Sequence, residues 1–233
     1  MKKLAEQYYF NGYLTGKINP SPLYLKYISA LYDIYNKKLK KGFFLKEKYP
    51  HSVDLRPEAY EYDDSIMDIL FENNIPQLLN NVVGENLVLS HVQIRIAYPF
   101  QSPIRSYMPW HRDTHWYNGQ LHGNAPPIHK IIYYPKFESE SESVLQVLPK
   151  SHLKIFEDSQ KDYEQLNNQD MIQTIKSSNH EYLLFNTSMF HSTLPVREKA
   201  GNLRVVYNFV REFQLDNYKD KIPCQNRWRK WKD

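Results

Sequence analysis

The sequence predicts a mainly β protein with helices, an antiparallel sandwich or barrel behind a helical preface, and three observations carry that expectation. The stretch Asn86 to Tyr98 alternates with the period of a strand, placing Val92, Ile94, Ile96 and Tyr98 on one side and His91, Gln93, Arg95 and Ala97 on the other. Four later segments, Lys130 to Tyr134, Val144 to Leu148, Glu181 to Met189 and Leu203 to Val210, are short, rich in apolar residues and bounded by turn formers. Before residue 86 the apolar residues recur instead every three or four positions. Many short strands after helices pack as two sheets or close as a barrel.

In chain order, residues 1–85 read as mainly helical. After Pro20 and Pro22, Leu23, Tyr27, Ala30, Leu31 and Ile34 share a helix face. Lys37, Lys38, Lys40 and Lys41 before Gly42 then mark a helix C-terminus, where cations complement the dipole and Gly accepts a left-handed conformation. Ser65 to Val83 is a second helical stretch, and Pro76 is expected to break or kink it. The strands occupy 86–213, and 214–233 form a basic, aromatic tail, "NRWRKWK", that either caps the core or meets an anionic partner. No repeat or linker divides the chain, so 1–233 is read as one domain.

Composition excludes several classes. With 15% aromatic residues, 19 Tyr and only 7 Gly, the chain is globular and neither collagenous nor of low complexity. No apolar run approaches the roughly 18 residues that span a bilayer, and the N-terminal stretch lacks the apolar core and cleavage site of an export signal. Cys224 has no partner for a disulfide. A cytoplasmic protein without membrane contact is therefore expected. A formal charge of +4 is modest and no nucleic-acid motif is present, so nucleic acid is not expected as a partner. Oligomeric state is left open.

The stretch "PWHRDTHWYNG" places His111 and Asp113 two residues apart, so that in an extended chain an imidazole and a carboxylate share a face. A third ligand is offered by His191 in "FNTSMFHSTLP", directly after a strand-like run. Two histidines and one carboxylate form a facial triad that leaves metal positions open, the arrangement suited to Fe(II) oxygenases. Among nine histidines and 26 acids such a pattern is weak alone. Arg204 strengthens it: if the strands around His191 and Arg204 pair as a hairpin, the guanidinium returns beside the ligand as a planar fork for a carboxylate.

These residues resemble the phytanoyl-CoA dioxygenase-like branch of the Fe(II)/2-oxoglutarate-dependent oxygenases. The similarity rests on "HRD" followed by aromatics, on "VLQVLPKSHLK" where the family shows a strand ending in Pro-Gly-Ser-His, and on "FHSTLPVREKAGNLRVVYNF", and it spans residues 86–213. It implies a double-stranded β-helix (a jelly roll, cupin-like) flanked by helices, with His111, Asp113 and His191 as iron ligands. It also implies Arg204 and Thr193 as holders of the distal 2-oxoglutarate carboxylate. Two positions depart from the pattern: Lys150 stands where the family commonly has Gly, and Arg197 where it often has a neutral polar residue.

Gln93 and Arg95 touch the cosubstrate or substrate if the polar face of their strand is the barrel interior, and are surface groups if the strand is an exposed edge. His115, Trp116 and Tyr117 follow the metal motif and either wall a substrate pocket or pack as aromatics. His152 belongs to the Pro-Lys-Ser-His turn and is read as structural. The resemblance implies Fe(II), 2-oxoglutarate and O2 as cofactors, succinate and CO2 as coproducts, and hydroxylation of a small-molecule substrate or a related oxidation. A zinc-dependent hydrolase, which also uses His and carboxylate ligands, and a non-catalytic jelly-roll binding protein are the competing readings.

Overall fold

The computed structural model describes residues 1–19, 21–22, 25–26, 29–30, 33, 52–54, 65–97, 108–113, 116–117, 120–121, 127–134, 143–153, 171–177, 180–193 and 202–214. The Lys37–Gly42 helix end, His115, Arg197 and all of the tail beyond Gln214 lie outside them.

Two antiparallel sheets form the body. The elements used below are α1 (Lys2–Asn11), β1 (Tyr13–Lys17), β2 (Ser52–Asp54), α2 (Ser65–Glu72), α3 (Ile75–Val83), β3 (Leu87–Ala97), β4 (Met108–His111), β5 (Trp116–Tyr117), β6 (Gln120–Leu121), β7 (His129–Tyr133), β8 (Ser143–Val147), β9 (Gln173–Ser177), β10 (Glu181–Asn186), β11 (His191–Thr193) and β12 (Asn202–Arg211). A six-stranded sheet runs β1-β10-β7-β12-β3-β2, a four-stranded sheet runs β4-β11-β8-β9, and β5 pairs with β6. Ile132, Tyr134, Leu183, Phe185 and Val206 from the larger sheet meet Leu145, Val147 and Ile175 from the smaller one in a single buried cluster, so the sheets face each other across a common core. No helix among the described residues is long and apolar enough to cross a membrane.

The N-terminal portion holds more than helices. β1 pairs with β10 at the edge of the larger sheet and β2 with β3 at its other edge. A five-residue edge strand reading YLTGK, with one Gly and one Lys, is too short and too polar to show an alternating pattern. α1 delivers the chain into β1 through Gly12, whose φ of 81° and N–H bond to Tyr8 O at 2.8 Å close the helix in the left-handed conformation. Tyr8 in turn bonds His129 Nδ1 at 2.7 Å, seating α1 on the outward side of β7.

The helical stretch before β3 is two helices. The break falls at Asn73 and Asn74, with Asn74 at φ 52°, so Pro76 stands in the first turn of α3, where its missing N–H removes no helical bond. β3 keeps its predicted alternation, but its polar side is not solvated: His91 and Gln93 are buried, as Val92 is.

The turn after β8 adopts the shape expected of a glycine. Lys150 has a φ of 68°, so the left-handed conformation persists where the resembling family has Gly. Ser151 explains why: its hydroxyl donates to Leu148 O at 2.6 Å and accepts from Phe190 N at 2.9 Å, binding the turn to the start of β11. His152 Nε2 donates to Tyr9 O at 2.8 Å and so ties this turn to α1.

Candidate metal centre

The ligand-bearing strands are neighbours in the smaller sheet. β4 and β11 pair antiparallel with His111 directly opposite His191, which sets the two rings 4.3 Å apart between centroids. The apolar run toward His191 ends as a strand at Asn186, where Asn186 Oδ1 accepts from Ser188 N at 2.9 Å and Asn186 O from Met189 N at 3.0 Å. That turn carries the chain from the larger sheet to the smaller one and faces His191 into the core between them. Beyond His111, alternation sends Arg112 away from the pair, its Nε donating to Ser188 O and its guanidinium lying 5.4 Å from the Phe190 ring centroid. Asp113 returns inward, its own N–H fixed on Thr187 O at 3.1 Å.

The result is a compact cluster. His111, Asp113 and His191 each offer one ligand atom, all within 4.8 Å of one another. His111 Nε2 lies 3.3 Å from Asp113 Oδ1, and His191 Nε2 3.7 Å from Asp113 Oδ2. His191 Nδ1 donates to Met189 O at 2.8 Å, which assigns its proton to Nδ1 and turns the Nε2 lone pair toward the carboxylate. His111 and Asp113 stay 24% and 21% exposed, so the cluster is reachable from solvent. Two imidazoles and a carboxylate at this spacing fit a divalent transition metal and leave coordination positions over.

Opposite this cluster, the inner side of the larger sheet is unusually polar. Reading across β3, β12 and β7, Arg95 faces Arg204, Gln93 faces Val206 and then Ile132, and His91 faces Asn208 and then Lys130. Lys130 donates to Asp113 Oδ2. Asn208 Nδ2 reaches Gln93 Oε1 and His91 O, each at 3.3 Å. Arg204 is only 7% exposed, and its charge acts on Lys130, as does that of Arg95.

Burial and charge oppose each other here. Burial raises the Asp113 carboxyl, but the Lys130 charge, the His111 hydrogen bond and the His191 and His111 charges together hold it well below the usual range. Burial, with the charge of His111, pushes His191 down to about 3, so its imidazole is neutral and metal-competent near neutrality. Burial lowers Lys130 as well, against the raising effect of Asp113.

The sequence expectations fare unevenly against this geometry. His111, Asp113 and His191 are brought together. Arg204, Gln93 and Arg95 share the inward side of the facing sheet, which makes the polar side of β3 the interior. The expected hairpin between the strands of His191 and Arg204 is absent: β11 pairs with β4 and β8, whereas β12 lies between β3 and β7. Arg204 therefore approaches from across the core, because the chain changes sheets between the two strands. Thr193 lies on β11 opposite Met108, and Trp116 and Tyr117 form β5, pairing with β6 in a short hairpin. Lys130 and Asn208 were missed. The signal was there for Lys130, the one charged residue in the run "HKIIYY"; Asn208 offered none beyond its parity with Arg204.

No protein-family model matches the chain, and a search of curated proteins finds no match. Solved structures do share its fold. AviO1 from Streptomyces viridochromogenes superposes with a TM-score of 0.65 at 14% identity, covering 91% of this chain and 95% of its own. HygX from Streptomyces hygroscopicus, in a structure with nickel and 2-oxoglutarate bound, gives 0.60 at 11% identity over 91% of this chain and 88% of its own. SnoN, a non-heme alpha-ketoglutarate-dependent epimerase from nogalamycin biosynthesis, gives 0.60 at 12% identity over 90% and 82%. At such identities the likeness establishes the fold.

Proposed function

We propose that this chain is a non-heme Fe(II)/2-oxoglutarate-dependent oxygenase of the jelly-roll type that acts on a small molecule. The observation that carries the reading is the convergence of His111 and His191 Nε2 with the Asp113 carboxylate on one point, facing a buried arginine on the opposite sheet. Structures with the same fold support it: HygX has been seen with iron bound, and SnoN with Fe3+, alpha ketoglutarate and nogalamycin RO.

In this reading His111, Asp113 and His191 hold the iron, which when bound supplies the oxidising chemistry that couples O2 to decarboxylation of 2-oxoglutarate. Arg204 holds the far carboxylate of the cosubstrate as a bidentate fork, with the Thr193 hydroxyl assisting and Gln93 beside it. Burial of Arg204 strengthens that grip, since an ion pair is screened less away from water. Arg95, Trp116, Tyr117 and His115 are assigned to the substrate side of the cavity. The carboxylate at Asp113 occupies the place that a halide would need, so hydroxylation or a related oxidation is assigned over halogenation.

The test is an anaerobic titration of metal-free protein with Fe(II) and then 2-oxoglutarate, followed by the weak visible absorption of the chelate. The wild type shows the band, Asp113→Ala loses it, and Arg204→Ala needs at least tenfold more 2-oxoglutarate, the equivalent of about 1.4 kcal/mol. A folded, iron-loaded wild type without the band refutes the proposal. A zinc hydrolase has no use for 2-oxoglutarate and shows no such response.

A further inference from the structure

Lys130 holds the carboxylate oxygen that the proposed metal needs. Its ammonium bonds Asp113 Oδ2, the oxygen that faces His191 Nε2 at 3.7 Å. A divalent ion bound between His191 and Asp113 then meets a fixed positive charge at the same oxygen, in a site where repulsion is poorly screened. One of the two cations has to give way.

A second observation offers the ammonium a place to go. Asn208 is the cross-strand partner of Lys130, and directly opposed residues of an antiparallel pair bring their side chains within about 5 Å on one side of the sheet. Asn208 is 1% exposed, and its Oδ1 accepts no hydrogen bond among the described residues. Its amide orientation is fixed by the other end: Nδ2 faces Gln93 Oε1 and His91 O at 3.3 Å and Val206 O at 3.5 Å, so a flipped amide would press oxygen against three acceptors. Buried amide oxygens are almost always satisfied. Lys130 carries three protons on a flexible stem, and Asn208 Oδ1 is a waiting acceptor beside it.

We propose that Lys130 is a resident counter-ion of Asp113 that yields to the metal, its ammonium passing to Asn208 Oδ1. Lys130 is thus a positioning residue: it keeps the carboxylate satisfied and in place in the metal-free protein and sets how tightly the site binds a divalent ion. This rests on the reading of His111, Asp113 and His191 as metal ligands.

The test titrates Co(II) into metal-free protein without 2-oxoglutarate, following the visible d–d bands, in wild type, Lys130→Met, Asn208→Leu and the double variant, each checked for folding by circular dichroism. Lys130→Met binds Co(II) at least tenfold more tightly than wild type, because no ammonium has to leave, and Lys130→Gln does the same should the methionine variant not fold. Asn208→Leu weakens binding at least threefold in the wild-type background and has no effect in the Lys130→Met background. Equal or weaker binding by both charge-free Lys130 variants overturns the inference alone, as does an Asn208→Leu effect of equal size in both backgrounds. Absence of Co(II) binding in every protein overturns the metal reading and this inference with it.

Discussion

Acidification from about pH 7.5 to about pH 5 removes about 2 kcal/mol of folding stability through His129 alone. His129 is 5% exposed on the outward side of β7, with Nδ1 against the Tyr8 hydroxyl. Burial pushes its imidazole down from 6.5 to about 4; Glu85 opposes this, and Arg211 and His152 add to it. The sign follows from which state takes up the proton first. The unfolded chain protonates this ring near 6.5 and the folded chain only near 4, so between those values the unfolded state binds more protons. Stability is complete above the unfolded value and falls as the pH drops toward the folded one. A depression of about 2.5 units at about 1.36 kcal/mol each gives about 3 kcal/mol in full, of which about 2 is lost by pH 5. For a chain of this size that lowers Tm by roughly 4–8 °C. His191 contributes with the same sign, so the wild-type slope is not diagnostic by itself. Urea denaturation of metal-free wild type and His129→Leu across this range isolates the effect as the difference between the two slopes. Parallel slopes would refute the assignment of a neutral, burial-depressed His129.

Two further outcomes follow from the backbone. Lys150→Gly raises stability by about 1 kcal/mol, since a lysine at φ 68° carries a left-handed strain that glycine lacks; a denaturation midpoint at or below that of wild type contradicts it. Gly12→Ala lowers stability by more than about 2 kcal/mol, because φ is 81° and an added Cβ would stand 2.8 Å from the His152 ring and 2.9 Å from Met189 Sδ. Loss of the tie between α1 and His152 then shows as faster proteolysis of the N-terminal segment, and unchanged proteolysis counts against the close approach.

Much of the site was legible because it obeys local rules. The strand period of two places His111 and Asp113 on one side and Arg112 on the other, whatever the fold around them. The same period orders Gln93 and Arg95 on one side of β3, and places Arg204, Val206 and Asn208 together on β12. The strand expected to run from Glu181 to Met189 stops instead at Asn186, where the side chain and carbonyl of Asn186 close a turn before His191. The edge strands β1 and β2 escaped because they are short and owe their conformation to pairing with β10 and β3, a nonlocal cause that no local pattern records. Lys150 shows the reverse case: its sequence argues against a left-handed turn, and the hydroxyl of Ser151 with its two partners imposes one.

By itself the sequence determined the mainly β class, the grouping of helices before residue 86 and the identity of the ligand-type side chains, since residue chemistry and periodicity are properties of a short stretch of chain. Only the tertiary structure decided that the polar side of β3 faces inward, that Arg204 lies on the sheet opposite His191 and not beside it in a hairpin, and that Lys130 meets Asp113. Those three facts depend on which sheet each strand joins. Strand pairing is settled by burial and hydrogen bonding summed over partners far apart in the chain.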